Sequence, residues 1–221
     1  MIKFTNSMSY EDEDIVLHTI EKEELQIAIG SILGDGYLTA LSKKGKSRLW
    51  IKYDDKAFSY LMWLRDKLKP FGVGLVKKKK GYNQHYFLTD SSDILGGLQK
   101  IFYPDGHTKC VPENIRKLLL KPIALAGWYM DDGHFDWRFK YHRNPTIATY
   151  CFSHKDCICL TETLCENFRI QSKVHKCTMR GKVYNRLYIL SNSVDKFFNL
   201  IKPYIHPHFL YKIQEGRQQP R

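Results

Sequence analysis

Long apolar runs are missing from this chain. No stretch of its 221 residues approaches the roughly 18 that a helix needs to cross a bilayer. A CxxC pair is missing too. The six cysteines, Cys110, Cys151, Cys157, Cys159, Cys165 and Cys177, offer only Cys157-x-Cys159, a poor spacing for zinc. A metal knuckle with His154 and His175 is conceivable, but reduced, mostly buried thiols in an intracellular protein are the plainer expectation. The start is polar and acidic (Glu11 to Asp14), which excludes the basic, apolar pattern of a signal or transit peptide. Negative charge is scarce overall. Thirty-five Lys and Arg face 23 Asp and Glu, giving a formal charge of +12 and a pI near 9.3. That balance favours a polyanionic partner, nucleic acid first and an anionic membrane surface second.

What is present is enough for a real core. The hydrophobic fraction is 43% and the aromatic fraction 14%, values of a folded chain of one or two domains rather than a disordered tail. Two stretches organise it: Ala28 to Gly36, AIGSILGDG, and Leu125 to Gly133, LAGWYMDDG. Each is an apolar, small-residue run of helical character ending in an acid followed by glycine, Asp35-Gly36 and Asp132-Gly133. A carboxylate at the C-terminal end of a buried helix meets the negative end of the helix dipole and a poorly hydrated place. A chain that accepts this twice calls for a compensating cation.

The periodicity predicts a helix over 21–35, strands over 37–41 and 48–54, and a helix over 56–69 that stops at Pro70. A hairpin over 74–80 and 82–89 follows, then a helix over 92–102. In the second half a helix over 122–132 leads to strands over 134–141 and 146–152, joined by Arg143-Asn144-Pro145. A helix over 156–168, a hairpin over 173–179 and 183–190 across Arg180-Gly181, and a helix over 194–201 complete it. Both halves therefore read helix, strand, strand, helix, strand, strand, helix.

Residue identities support the repeat. Tyr82-Asn83-x-x-Tyr86-x-Leu88 recurs as Tyr184-Asn185-x-x-Tyr188-x-Leu190 at an offset of 102, and Asp93 recurs as Asp195 at the same offset. Pro104-x4-Lys109 recurs as Pro207-x4-Lys212 at 103, and Asp35 as Asp132 at 97. The expected organisation is a leader over 1–20, a first repeat over 21–103, a linker over 104–121, a second repeat over 122–205 and a tail over 206–221. The fold class is α+β: two pseudo-symmetric αββαββα repeats, with a β-saddle built around a central pair of motif helices.

Gly30 and Gly34 share one helix face, and Ala126 and Gly127 put small side chains in the other motif, so two backbones could approach closely. Packed about a pseudo-twofold, the helices would bring Asp35 and Asp132 together. Two adjoining carboxylates stay ionised only if a cation or proton shares them. Magnesium suits the task, since it takes hard oxygen ligands, keeps several waters and accepts phosphate oxygens, with Mn²⁺ as a substitute. Such a site hydrolyses phosphodiesters. The plain alternative is two capping aspartates facing solvent. The same symmetry places Lys109 and Lys212 on either side of the pair, where a lysine could offset phosphate charge or polarise the attacking water; ordinary solvated surface lysines are the other reading.

Strand alternation supplies a binding face. Arg48, Trp50 and Lys52 alternate against Leu49, Ile51 and Tyr53, and Arg138, Lys140 and His142 against Trp137, Phe139 and Tyr141. With apolar faces on the helices, a basic concave face is left for duplex DNA. Lys77, Lys78, Lys79, Lys80 and Tyr82 in one half, with Arg143, Arg180, Lys182 and Arg186 in the other, extend it as a phosphate track.

The two stretches resemble the signature motifs of the LAGLIDADG homing endonucleases, of the single-chain, two-motif, intron-encoded kind. The resemblance covers about residues 22 to 215, and KCVPENI and NLIKPYIHPHFLYKI resemble flanking segments of yeast mitochondrial intron endonucleases. The second motif matches specifically; in the first, Ser31 and Leu33 stand where the pattern has Leu and Asp. The resemblance implies a monomer whose two sheets straddle a long double-stranded DNA target and cut both strands across the minor groove, leaving 3′ overhangs. It implies that Asp35 and Asp132 bind the divalent metals, that Asp131 is structural, and that the backbone carbonyls of Asp131 and Gly34 are further metal ligands. Lys109 and Lys212 match its basic residues near the active site. An RNA maturase acting on its own intron, or a DNA-binding protein that has lost cleavage, are the rivals. The expected compartment is an organelle (mitochondrion or chloroplast) or a prokaryotic cytoplasm, with no membrane partner.

Overall fold

The computed structural model describes residues 20–137 and 143–214. The chain divides after Thr108 into two units. The first contains α1 (Glu23–Leu33), β1 (Tyr37–Leu38), β2 (Leu49–Asp54), α2 (Phe58–Lys67), β3 (Lys77–Lys78), β4 (Gln84–Leu88) and α3 (Asp93–Phe102). The second contains α4 (Pro122–Asp132), β5 (Gly133–Trp137), β6 (Arg143–Ala148), α5 (His154–Phe168), β7 (Ser172–Met179), β8 (Lys182–Ile189) and α6 (Val194–Ile201). The order αββαββα thus occurs twice, in an α+β fold. Each unit has one antiparallel four-stranded sheet, β1-β2-β4-β3 in the first and β5-β6-β8-β7 in the second. Among the described residues no helix is long and apolar enough to cross a membrane.

The two motif helices are buried on every side, Leu25 through Leu33 in α1 and Ile123 through Met130 in α4. A helix apolar all round has no solvent face to offer, so burial rather than intrinsic propensity holds it. Acids open α1 (Glu23, Glu24), and Pro122 opens α4, where its preset φ suits the first turn. A closely packed glycine then follows each acid. The Gly36 amide donates to the Ser31 carbonyl (2.7 Å), and a Cβ on Gly36 would lie 2.6 Å from that oxygen. A Cβ on Gly133 would lie 2.2 Å from the Tyr129 carbonyl oxygen. No side chain fits at either position; α1 has already ended at its Gly34 cap one residue before Asp35, whereas α4 runs through Asp132 and leaves the helix at Gly133.

Caps and alternation set the remaining elements. Asp54 accepts from the Ala57 amide ahead of α2 (3.1 Å), and Ser92 from the Leu95 amide in α3 (3.2 Å). Ser153 and Asp156 form a reciprocal capping box on α5 (3.1 and 3.0 Å). Along β2, Leu49, Ile51 and Tyr53 are buried while Trp50 is half-buried and Lys52 exposed; α2 packs on the buried side. In β8, Leu187 and Ile189 play the same part beneath α5. Arg180 and Gly181, both at positive φ (49° and 75°), make the two-residue turn that suits the twist of β7 and β8.

Four sequence expectations are corrected, the first being the strand over 37–41, which shortens to Tyr37–Leu38. The strand expected over 74–80 narrows to Lys77–Lys78. Arg143-Asn144-Pro145, expected as a connection, opens β6 instead. Pro145 is tolerated because β6 pairs with β8 only from Thr146 to Ala148, so at Pro145 the ladder runs on the β5 side alone. The strand expected to reach Phe152 ends at Ala148, and Phe152 instead donates back to Thr149 (3.1 Å) in a turn.

The segment expected as a linker over 104–121 is split by the division after Thr108. From Lys109 onward it belongs with the second unit, with Ile115, Leu118 and Leu119 buried. Arg116 grips Glu166 with both carboxylate oxygens (3.0 and 2.9 Å), Lys155 meets Glu113 (3.0 Å), and Asn167 donates to the carbonyls of Arg116 and Leu119 (2.8 Å each). The internal repeat also extends to an ion pair. Lys46 meets Asp93 at the start of α3 (3.3 Å), and Arg143 meets Asp195 at the start of α6 (2.8 Å).

Replacing Gly36 or Gly133 by alanine should lower stability by about 1–3 kcal/mol, since the intruding methyl meets backbone rather than a movable side chain. Gly97→Ala in α3, where nothing lies within 4 Å, should instead be neutral or stabilise by up to about 1 kcal/mol. Urea unfolding midpoints of the three variants decide it.

Candidate active site and nucleic-acid face

Asp35 is exposed one residue beyond the Gly34 cap of α1, whose amide closes the last turn on the Gly30 carbonyl (3.1 Å). Asp131 and Asp132 form the half-buried last turn of α4. That turn carries no basic residue of its own. A counter-charge arrives from 80 residues on: Lys212, only 7% exposed, donates from Nζ to the carbonyls of Met130 (2.6 Å) and Asp131 (3.1 Å). The buried Tyr129 hydroxyl donates to the Lys212 carbonyl (2.9 Å), so residue and helix are tied at both ends. His206 joins the same assembly, its amide donating to the Met130 sulfur (3.2 Å). Desolvation raises the Cys151 thiol pKa, Lys109 opposes the rise and Asp132 adds to it, which places these charges in one neighbourhood of the second unit.

Asp35, exposed beyond the end of α1 in the first unit, and Asp132, half-buried in the last turn of α4 in the second, each carry carboxylate oxygens of the kind a hard divalent ion such as magnesium takes. The zinc knuckle at Cys157, Cys159, His154 and His175 is not formed. Among the described residues no three His, Cys, Asp or Glu side chains converge on a metal position.

Strand register decides which basic residues share the face turned away from the helices. In the first unit Tyr37 pairs with Trp50, Trp50 with Leu88, Lys52 with Tyr86, and Tyr86 with Lys77, so these share the outer face, with exposed Arg48 in phase. Lys78 pairs with His85 on the opposite, helix-side face, where Asp55 meets both (3.7 and 2.9 Å). Lys79 and Lys80 lie beyond the strand, Lys79 with its ammonium 4.2 Å over the exposed Tyr82 ring. In the second unit Lys182 and Arg186 are on the outer face and Arg180 is exposed in the turn. Arg186 reaches the Tyr150 hydroxyl and stacks over its ring (5.4 Å). Arg143 pairs with Trp137 in phase with buried Phe135 and Ile147, which puts it on the helix side with Asp195. Arg138, Lys140 and His142 lie outside the described residues, as do most of the leader and the end of the tail.

Sequence reasoning missed several outer-face residues. Lys173 and His175 of β7 sit opposite Tyr188 and Arg186, and the His175 and Tyr188 rings lie 4.6 Å apart. Tyr37 and Tyr86, also missed, flank the expected Trp50 in an edge-to-face chain with centroids 6.5 and 5.7 Å apart. The period-two alternation of Lys173 and His175 about Val174 was the signal available for the first pair.

Residues 25–197 match the LAGLIDADG DNA endonuclease family. The cytochrome b mRNA maturase bI2 of Saccharomyces cerevisiae is 28% identical over 204 residues, covering 86% of this chain and 47% of the maturase. The chain thus spans about half the length of that curated relative. The homing endonuclease I-WcaI, solved bound to its DNA recognition sequence, matches with a TM-score of 0.71 at 19% identity, covering 98% of this chain and 100% of that one. I-DmoI in complex with DNA and Mn matches with a TM-score of 0.52 at 20% identity, covering 81% and 96%. At these identities the structural likeness speaks for the fold.

Burial, with His208 nearby, holds the His206 imidazole below its ordinary range. The unfolded chain then binds the extra proton first, so stability is complete above the ordinary imidazole pKa of about 6.5 and declines as pH falls below it. Thermal melts between pH 7.5 and 5.5 should show a steeper loss for the wild type than for His206→Asn.

Proposed function

Because the chain belongs to the LAGLIDADG DNA endonuclease family, we propose that it is a site-specific homing endonuclease. In this reading it makes metal-dependent double-strand breaks in a long DNA target by phosphodiester hydrolysis and leaves 3′ overhangs. The observation that carries the proposal is the twice-used helix end: a buried helix, a carboxylate reaching the surface, and a glycine that no other residue can replace. Two capping aspartates would not require that steric device in duplicate.

Asp35 and Asp132 would hold the metal, one for each strand cut; Mg²⁺ or Mn²⁺, when bound, would supply an activated water and stabilise the leaving oxygen. Lys109, sharing a neighbourhood with Asp132, offsets charge on the phosphate. Arg48, Trp50, Lys52, Lys77, Tyr82, Arg180, Lys182 and Arg186 orient the duplex. Lys79 and Lys80 extend the phosphate track, and Lys173 and His175 join it. The partner is double-stranded DNA, the acting species a monomer, and an organelle the compartment this reading favours.

A second reading is supported by the maturase relative: the same scaffold assists splicing of its own intron RNA. Gel-shift competition between intron RNA and target duplex separates the two, since an RNA-only binder is no endonuclease.

With a plasmid carrying the joined exon sequence and Mg²⁺, Asp35→Asn and Asp132→Asn should each abolish double-strand cutting while duplex binding persists. Unchanged cutting by both would overturn the metal assignment. Target affinity should fall about a thousandfold between 50 and 200 mM salt, as expected when about six phosphates are neutralised; a flat salt profile in fluorescence anisotropy would remove the basic face from the argument.

A further inference from the structure

Lys212 does not behave as a lysine that waits for substrate. A side chain reaching for a phosphate keeps its ammonium in water until the ligand arrives, whereas Lys212 is 7% exposed. Burying an ammonium is costly unless hydrogen bonds replace its water. Here the replacements are the Met130 and Asp131 carbonyls, at 2.6 and 3.1 Å. Those carbonyls belong to the last turn of α4, where helix carbonyls lack partners along the helix and where the dipole is negative. The Phe209 ring, its centroid 5.2 Å from Nζ, closes over the ammonium, and the Tyr129 hydroxyl holds the Lys212 carbonyl at 2.9 Å. Tyr129 is in turn wedged among Phe197 and Phe198, with centroids 5.1 and 6.2 Å away.

We infer that Lys212 is a positioning residue: its ammonium is the counter-charge that fixes the carboxyl end of α4, and with it the Asp132 carboxylate, without meeting substrate. This rests on the metal-dependent nuclease reading for its consequence in catalysis, though not for its geometry. The arrangement answers the electrostatic difficulty of the motif. Two acids in the last turn of a buried helix oppose the dipole, and a buried cation on the same turn relieves both. It also makes the Asp131 carbonyl an unfavourable metal ligand, since that oxygen already accepts from an ammonium and a divalent ion there would repel it. Metal binding in this half then falls to the Asp132 carboxylate.

Two measurements test the assignment. Acylation footprinting of the full chain with acetic anhydride, read by mass spectrometry, needs no nuclease activity. Lys212 should stay unmodified with and without DNA, while Lys52 and Lys182 react in the free protein and are protected by duplex. Ready modification of Lys212 in the free protein, suppressed by DNA, would overturn the inference in favour of a substrate contact. The kinetic arm compares Lys212→Met and Lys212→Ala with wild type under single-turnover conditions. Target affinity should hold, the cleavage rate should drop about a hundredfold through misplacement of the carboxylate, and added methylamine should raise the Lys212→Ala rate several-fold without helping Asp132→Asn. A wild-type rate in Lys212→Met, or loss of DNA affinity with no rescue by amine, would overturn it. If the wild type cuts no DNA with any divalent ion, the nuclease reading fails and the footprint alone decides where Lys212 sits.

Discussion

Negative charge at the carboxyl end of a buried helix is opposed twice, by the helix dipole and by the loss of water. The second unit accepts that arrangement at Asp131 and Asp132, while the first sets Asp35 exposed just past the end of its helix, and much of their construction follows from these two ends. In each unit the residue after the acid is a glycine, at a position where a Cβ would strike a backbone carbonyl of the preceding helix. The sheet then begins at or beside that glycine, β5 at Gly133 and β1 at Tyr37. The acid therefore stands at the joint between the helix that carries it and the sheet that offers the outer face. Chemistry and recognition are built on adjoining residues, and an error in one displaces the other.

The parts of this plan that depend on neighbours in sequence were legible without coordinates. The αββαββα order and the alternation in β2 rest on local periodicity, which folding preserves. Features set by distant partners were not legible. Nothing near Lys212 in sequence announces that it will be buried against Met130 and Asp131. A run such as Lys77 to Lys80 has no period of its own, so only the pairing with β4 reveals that Lys77 and Lys78 point to opposite faces. Arg143 looked like part of a basic turn because Pro145 normally breaks a strand; one-sided pairing at that position removes the objection and turns the guanidinium toward Asp195.

The outer faces are less purely basic than composition suggests. Tyr37, Trp50 and Tyr86 in one unit, and Tyr184 and Tyr188 with His175 in the other, interleave rings with the cations. Charge gives affinity for any polyanion and depends on salt, while flat apolar rings contribute contacts that screening does not weaken. A surface of this kind holds a partner by shape as well as by charge.

The strap that runs from Lys109 to Lys121 has a bearing on how the chain may be recombined. Its carbonyls at Arg116 and Leu119 are taken up by Asn167, and its side chains grip Glu166 and Lys155 on α5. A chimera joined at Pro122, the first residue of the second motif helix, would graft that helix while stripping α5 of its cover and depriving Asn167 of its two carbonyl partners. The natural seam for exchanging halves with a relative lies ahead of Lys109.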